Sequence, residues 1–318
     1  MIEFVGSFYK YSGEQLSNPE IILIRDHHYN ENDQCFHVQQ LLENSVCNPK
    51  EHVVIMDHVL QHDDVLKDYQ LINFPSFLAK ENTEFIQQQI QPTWNNKIIT
   101  FNFMINKPRP HRVQLLEMIK EFELTDYGHS LAWKTNTIND IPVTDYRFGP
   151  EVVMDRGVKN GSFKNAHTYQ ALLQKTVFEP ACVSLITEPV YYQRETIITE
   201  KTLMAMYAGT IPIWIGGWRI PDYLKQAGFD TFDDIVDHSY QDLPDPADRC
   251  RQAVELNLDL LRYFDITKQI NWNCRNRLKR NVELLENNHF RTECLSIIDQ
   301  CSVQVQQKLK EILGVDKV

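Results

Sequence analysis

Short apolar runs bounded by polar stretches recur through the first third of the chain. Ile21 to Ile24, Val53 to Met56 and Gln70 to Phe74 each have strand length and β-branched or aromatic content, which predicts three strands. Pro75-Ser76 then opens a helical pattern in which Phe77, Leu78, Phe85 and Ile86 fall near one face, and Pro92 ends it. Strands alternating with helices predict an open, mostly parallel α/β sheet. The polar, breaker-containing stretch 92–97 separates this region from a second one, which starts with the strongly apolar strand Ile98 to Met104.

In the second region Asn106-Lys107-Pro108-Arg109-Pro110-His111-Arg112 follows the strand as a basic loop. An amphipathic helix is expected from Val113 to Phe122, with Leu115, Leu116 and Ile119 on one face. A second strand-loop-helix unit runs from Ala181 to Ile186 into a helix over 199–208, and the strand Ile211 to Ile215 follows, closed by Gly216-Gly217. From Ala247 the apolar spacings of mainly three and four describe helices: Cys250, Val254, Leu261 and Phe264, then Ile270 to Leu285, then Cys294 to Leu309. The expected organisation is an N-terminal α/β domain over 1–95, a second α/β domain over 96–246, and helices over 247–318 that pack on the α/β body.

Composition narrows the class. A chain of 318 residues that is 42% hydrophobic and 24% charged can fill more than one core. The balance of 32 Lys plus Arg against 43 Asp plus Glu leaves a formal charge of −11, which disfavours nucleic acid as a partner. The first residues carry no basic segment followed by an apolar run. No stretch approaches the roughly 18 apolar residues that span a bilayer, so a soluble, cytoplasmic protein without a membrane span is expected. Seven scattered cysteines without a CxxC pair read as reduced thiols rather than a disulfide framework or a zinc site.

Three clusters hold candidate chemistry. Lys107, Arg109 and Arg112 sit where a strand gives way to a helix, and free N–H groups at a helix start favour an anion. Alone, such a run is also what a solvated basic turn looks like. At the second helix start Thr199 reads as an N-cap and Glu200 suits the helix dipole, whereas Lys201 opposes it unless Glu200 or a bound diphosphate faces it. The third cluster is Asp26-His27-His28, Asp57-His58 and His62-Asp63-Asp64. Its D-x-H opens the ligand set of binuclear metallophosphoesterases, but the GD, GNH and GH-x-H segments that complete it are missing. No metal site is assigned, and Asp26 and Asp57, each directly after a predicted strand, are the candidate general bases.

Taken in order, Phe101-Asn102-Phe103-Met104-Ile105-Asn106, Arg112, Asp126-Tyr127-Gly128, Leu185-Ile186-Thr187-Glu188, Thr199-Glu200-Lys201 and Ile211 to Gly216 resemble the α-1,3-fucosyltransferase family and related GT-B-type glycosyltransferases, including phage fucosyltransferase-like proteins. The family's donor domain has a strand ending in Asn, a loop with Arg, a D-x-G turn, a strand ending in FEN, then TEK and a PIYWG-like strand. Gly228 to Asp234 also looks like the segment that follows in phage relatives. The resemblance covers about 98–240 and implies two Rossmann-like domains, with the helical C-terminal segment added.

It further implies transfer of a sugar from a nucleotide-diphosphate sugar to a glycan or other hydroxyl-bearing acceptor, with inversion. The donor is a substrate and no cofactor is expected. Arg112 and Lys201 would meet the diphosphate, Glu200 the sugar or ribose, and Lys107, Arg109, Glu188 and Gly216 complete the donor-binding set. Pro189 stands where the family has Asn, and Ile197 where an aromatic residue is frequent, so the sugar and nucleotide stay open. Without a D-x-D motif, cationic side chains are expected to carry the leaving group. The alternatives are a metal-dependent hydrolase built on the N-terminal Asp/His cluster and a non-enzymatic binding protein that retains the fold.

Overall fold

The computed structural model describes residues 2–5, 21–24, 53–56, 59–60, 70–87, 94, 96–105, 110–132, 137–138, 141–142, 177–188, 195–196 and 198–315. The chain is a mixed α/β structure with parallel sheets. In the first sheet β1 (Ile2–Val5), β2 (Ile21–Ile24), β3 (Val53–Met56) and β5 (Gln70–Asn73) lie side by side in chain order, all parallel, with Ile21 opposite Val53 and Val53 opposite Gln70. The short β4 (Val59–Leu60) leaves this region to pair antiparallel with β11 (Glu195–Thr196).

The second sheet has a different winding. Its strands are β6 (Ile99–Ile105), β7 (Gly128–Ala132), β10 (Ala181–Thr187) and β12 (Ile211–Ile215), in the spatial order β12-β10-β6-β7, all parallel. Between β7 and β10 in the chain, β8 (Thr137–Ile138) and β9 (Ile141–Pro142) pair with each other as a small antiparallel sheet of their own. After β6 the chain steps to one side to form β7, then returns past β6 to form β10 and β12. The winding therefore reverses between β6 and β10, where parallel α/β sheets open a crevice beyond the strand ends.

Burial explains why β10 and β12 are near-continuous apolar runs: every residue in both is buried, because helices cover both faces. On one face lie α2 (Pro110–Glu121), α5 (Pro246–Glu255), α6 (Leu258–Arg262) and α7 (Phe264–Asn273), contributing Leu115, Ile119, Val254 and Leu261 against Phe101, Val183 and Ile213. On the other face α3 (Glu200–Tyr207) packs against Ile186 and Trp214. Around α3 gather α1 (Ser76–Gln87), α8 (Arg275–Glu286), α9 (His289–Gln300) and α10 (Val303–Leu313). Phe85 of α1 stacks on Tyr207 of α3, and Asn82 donates to the carbonyl of Leu285. The helix before residue 95 thus shares one apolar core with the last helices of the chain. The short α4 (Ile220–Gln226) follows β12 and buries Ile220 and Leu224 in that core.

Two boundaries differ from the sequence expectation for local reasons. Helix α2 starts at Pro110 rather than Val113, since proline suits a first helical position, and this moves His111 and Arg112 from the loop into the first turn. The C-terminal region holds six helices where the apolar spacing describes three stretches. Cys274, between α7 and α8, has φ −82° and ψ 0°, close enough to helical that the spacing continues across the joint. Asn257, before α6, is buried with its amide bonded to Ala253 and Asp237, an interruption that no apolar period records. Among the described residues no helix is long and apolar enough to cross a membrane.

The carboxyl end of α3 is fixed by groups from three directions. Gly209 takes φ +61° just past the helix, and a Cβ there would lie 2.6 Å from the Trp94 ring, so glycine is required twice over. Asn271 donates to the carbonyls of Cys182 and Gly209, while the buried Lys97 ammonium donates to Ala208 at 2.7 Å, at the negative end of the helix dipole. Burial nevertheless lowers the Lys97 pKa to about 7, against the opposing pull of Cys182 and Glu179. Between pH 7 and 10.5 the unfolded chain holds this proton and the folded one releases it, so stability rises with pH across that window, by at most about 1.4 kcal/mol per pH unit. Urea unfolding at stepped pH should show this rise in the parent and a flatter profile in Lys97→Met.

Candidate functional site

The carboxyl ends of β6, β10 and β12 carry the residues of interest, and Thr187-Glu188 is where they meet. The β10 ladder is extended by Glu188 N–H donating to Ile215 of β12, and Thr187 Oγ1 donates to Met104 near the end of β6. Two side chains from the first turn of α2 reach across to the same place. His111 Nε2 bonds the carbonyl of Glu188 at 2.8 Å, which makes that nitrogen the protonated one. Arg112 Nη2 donates to the carbonyl of Thr187 at 3.0 Å, and both side chains are buried.

The Glu188 side chain turns the other way, toward the start of α3. Its Oε1 accepts from Thr199 N at 3.0 Å and Thr202 Oγ1 at 2.8 Å, and its Oε2 accepts from Thr199 Oγ1 at 2.6 Å. Thr202 in turn accepts from Trp214 Nε1 of β12 at 3.1 Å. Thr199 is the N-cap in extended backbone, its hydroxyl oxygen accepting from Lys201 N. Lys201 Nζ lies 3.2 Å from that oxygen and 3.3 Å from Glu200 Oε1.

Exposure separates the roles. Glu188 is fully buried, Lys201 has 9% of its side chain exposed, and Glu200 has 29%. Burial pushes the Glu188 carboxyl above its ordinary range, opposed by the Lys201 charge and by the two bonds from Thr199. Burial acts in the same direction on Glu200, but Lys201, its own backbone N–H at the helix start and Arg112 outweigh it, leaving that carboxyl below its ordinary value. Two acids and two cations are therefore coupled beyond the ends of β6 and β10, and Glu200 is the acid that meets solvent. Gly216 and Gly217, both at positive φ, turn the chain just beyond β12.

Of the residues singled out in the sequence, Arg112, Glu188, Glu200, Lys201 and Gly216 gather at this end of the second sheet. Asp26, Asp57, Lys107 and Arg109 lie outside the described residues, as does the rest of the N-terminal Asp/His cluster. Glu188 has its carboxylate filled from within the protein, which makes it an anchor for α3 rather than a group facing a ligand. Lys201 does not stand unopposed against the helix dipole, since its ammonium sits against Glu200 with Glu188 nearby. His111, Thr187, Thr202 and Trp214 were not legible as site residues; only the strand order brings them together. Among the described residues no group of three or more His, Cys, Asp or Glu side chains could hold a metal ion.

Comparison with protein-family models, with curated proteins and with solved structures gives no match.

The pairing of Lys201 alters what its removal does to the fold. A nearly buried cation beside two acids leaves them with less opposing charge when it goes, so Lys201→Ala should lose about 2 to 4 kcal/mol of stability. Chemical denaturation of the two proteins at pH 7 measures this directly. A change below about 0.5 kcal/mol would mean that the Lys201 charge is solvated rather than shared with the two acids.

Proposed function

We propose that the chain is a glycosyltransferase that moves a sugar from a nucleotide-diphosphate sugar to a hydroxyl of a glycan or other acceptor, with inversion and with cationic side chains in place of a metal. Its architecture on this reading is a pair of Rossmann-like domains of GT-B type. The observation that carries the proposal is the convergence of Arg112 with Glu200 and Lys201 where the winding of the second sheet reverses, with the capped N-terminus of α3 at the same strand ends. The five cysteines among the described residues are free thiols, which suits the reducing cytoplasm where we place it.

The chemistry follows from where charge develops. As the bond from the anomeric carbon to the diphosphate oxygen breaks, negative charge grows on that oxygen, and cations already in place stabilise the transition state more than the bound donor. Arg112 supplies a planar fork and Lys201 a point charge. In the empty protein Glu200 neutralises Lys201. With donor bound, Lys201 turns to the diphosphate and the Glu200 carboxylate accepts from a sugar or ribose hydroxyl. A carboxylate from the first domain, Asp26 or Asp57, takes the proton of the attacking acceptor hydroxyl.

Titration calorimetry of the parent and Lys201→Ala with UDP-, GDP- and dTDP-sugars tests this reading, at a temperature where both are folded. Loss of a charge-assisted contact that strengthens in the transition state should slow turnover by roughly 30- to 1000-fold, about 2 to 4 kcal/mol, with weakened donor binding. A variant that is less stable yet binds every donor as the parent does would reduce the Lys201–Glu200 pair to a structural contact and favour the non-enzymatic alternative.

A further inference from the structure

Both cation-bearing helices are held by the same two residues. Thr187 offers its carbonyl to Arg112, Glu188 offers its carbonyl to His111, and the Glu188 carboxylate takes Thr199 twice and Thr202 once. Thr202 is fixed from below by the Trp214 indole, and Thr187 is fixed to β6 through Met104. Strand β10 lies between β6 and β12, so this dipeptide is the mechanical link between the start of α2 and the start of α3.

We infer that Glu188 and His111 are positioning residues that set the spacing between Arg112 and Lys201, and that this spacing selects a diphosphate over a monophosphate. The inference rests on the donor-site reading above and deepens it. A monophosphate has its oxygens around one phosphorus and can shift as a body to follow either cation, so its affinity depends only weakly on the gap between them. A diphosphate that engages both has its two phosphates joined at a fixed span, so its affinity depends more steeply on a separation that neither cation controls alone. Arg112 cannot set that separation, because its guanidinium is itself tied to Thr187. Nor can Lys201, whose backbone follows Thr199 and hence the Glu188 carboxylate.

The isosteric Glu188→Gln keeps volume but offers one acceptor oxygen and a donor amide where three donors converge, so the helix start must shift. His111→Phe removes the bond to the Glu188 carbonyl, whereas His111→Gln retains a donor N–H and Thr202→Ser retains the hydroxyl. Calorimetry would compare inorganic pyrophosphate with inorganic phosphate for each protein. The expected result is that the pyrophosphate-to-phosphate affinity ratio falls about tenfold in Glu188→Gln and His111→Phe and stays within about threefold of the parent in His111→Gln and Thr202→Ser.

A merely structural role predicts equal weakening of both anions, and that outcome overturns the inference. An unchanged ratio in Glu188→Gln and His111→Phe overturns it while leaving the donor site intact. A parent protein that binds neither anion nor any nucleoside diphosphate overturns the donor site and the inference together. If Glu188→Gln does not fold, His111→Phe and Thr202→Val carry the comparison.

Discussion

A carboxylate removed from water must be met by donors, and at Glu188 this requirement organises the whole carboxyl edge of the second sheet. Desolvating that group without partners would cost several kcal/mol, so the three bonds from Thr199 and Thr202 are conditions for the chain to close here rather than additions to a finished fold. Once they form, the N-cap of α3 is placed, and with it Glu200 and Lys201. The main chain of the same residue meanwhile receives His111 from α2. A single buried acid thereby couples two helices that are far apart in sequence.

The opposite end of α3 obeys the complementary rule. The negative end of its dipole meets the buried Lys97 ammonium, and the two carbonyls just past its last residue, those of Ala208 and Gly209, are taken by Lys97 and Asn271. The helix is only eight residues long, too short to hold together by its own propensity, and it persists because both ends and its buried length are held by neighbours. Lys97 is poised near neutrality because the same burial that makes its bond strong also disfavours its charge. A comparable knot ties the loop after α4 to α8. Arg277 forks onto Asp230 and Asp234 and lies over Phe232, while Asn281 exchanges bonds with the Asp230 backbone. That loop was singled out in the sequence for its resemblance to phage relatives; within it Asp230 accepts from the Phe232 N–H, and Phe232 stands at φ 63°.

Much of the fold was legible because it depends on periods of two and of three or four. The strands at 21–24, 53–56 and 211–215 coincide with their apolar runs, and the helix starting at Glu200 was announced by a capping threonine and a first-turn acid. What periodicity could not show were breaks that preserve it, such as Cys274, and ends decided by a proline, as at Pro110. The packing of α1 against α8 and α9 was equally hidden, since Asn82 and Asn288 bond partners about 200 residues away.

For the site, residue types and local order were available from the sequence: a basic segment after one strand, and an acid and a lysine at the start of a helix after another. These are short-range facts, set by the strand-to-helix transitions. Whether Arg112 and Lys201 meet depends on the strand order β12-β10-β6-β7, and that order is chosen by the burial of both faces of β10 and β12. The charge state of each acid was likewise undecided until burial and neighbours were known, since Glu188 is pushed up and Glu200 held down by surroundings assembled from β6, β10, β12 and α2. The sequence by itself determined which charges the site contains and which helix ends carry them. Only the tertiary structure decided which of them face solvent and which are consumed in holding the others in place, because desolvation is a property of the packed interior and not of any segment alone.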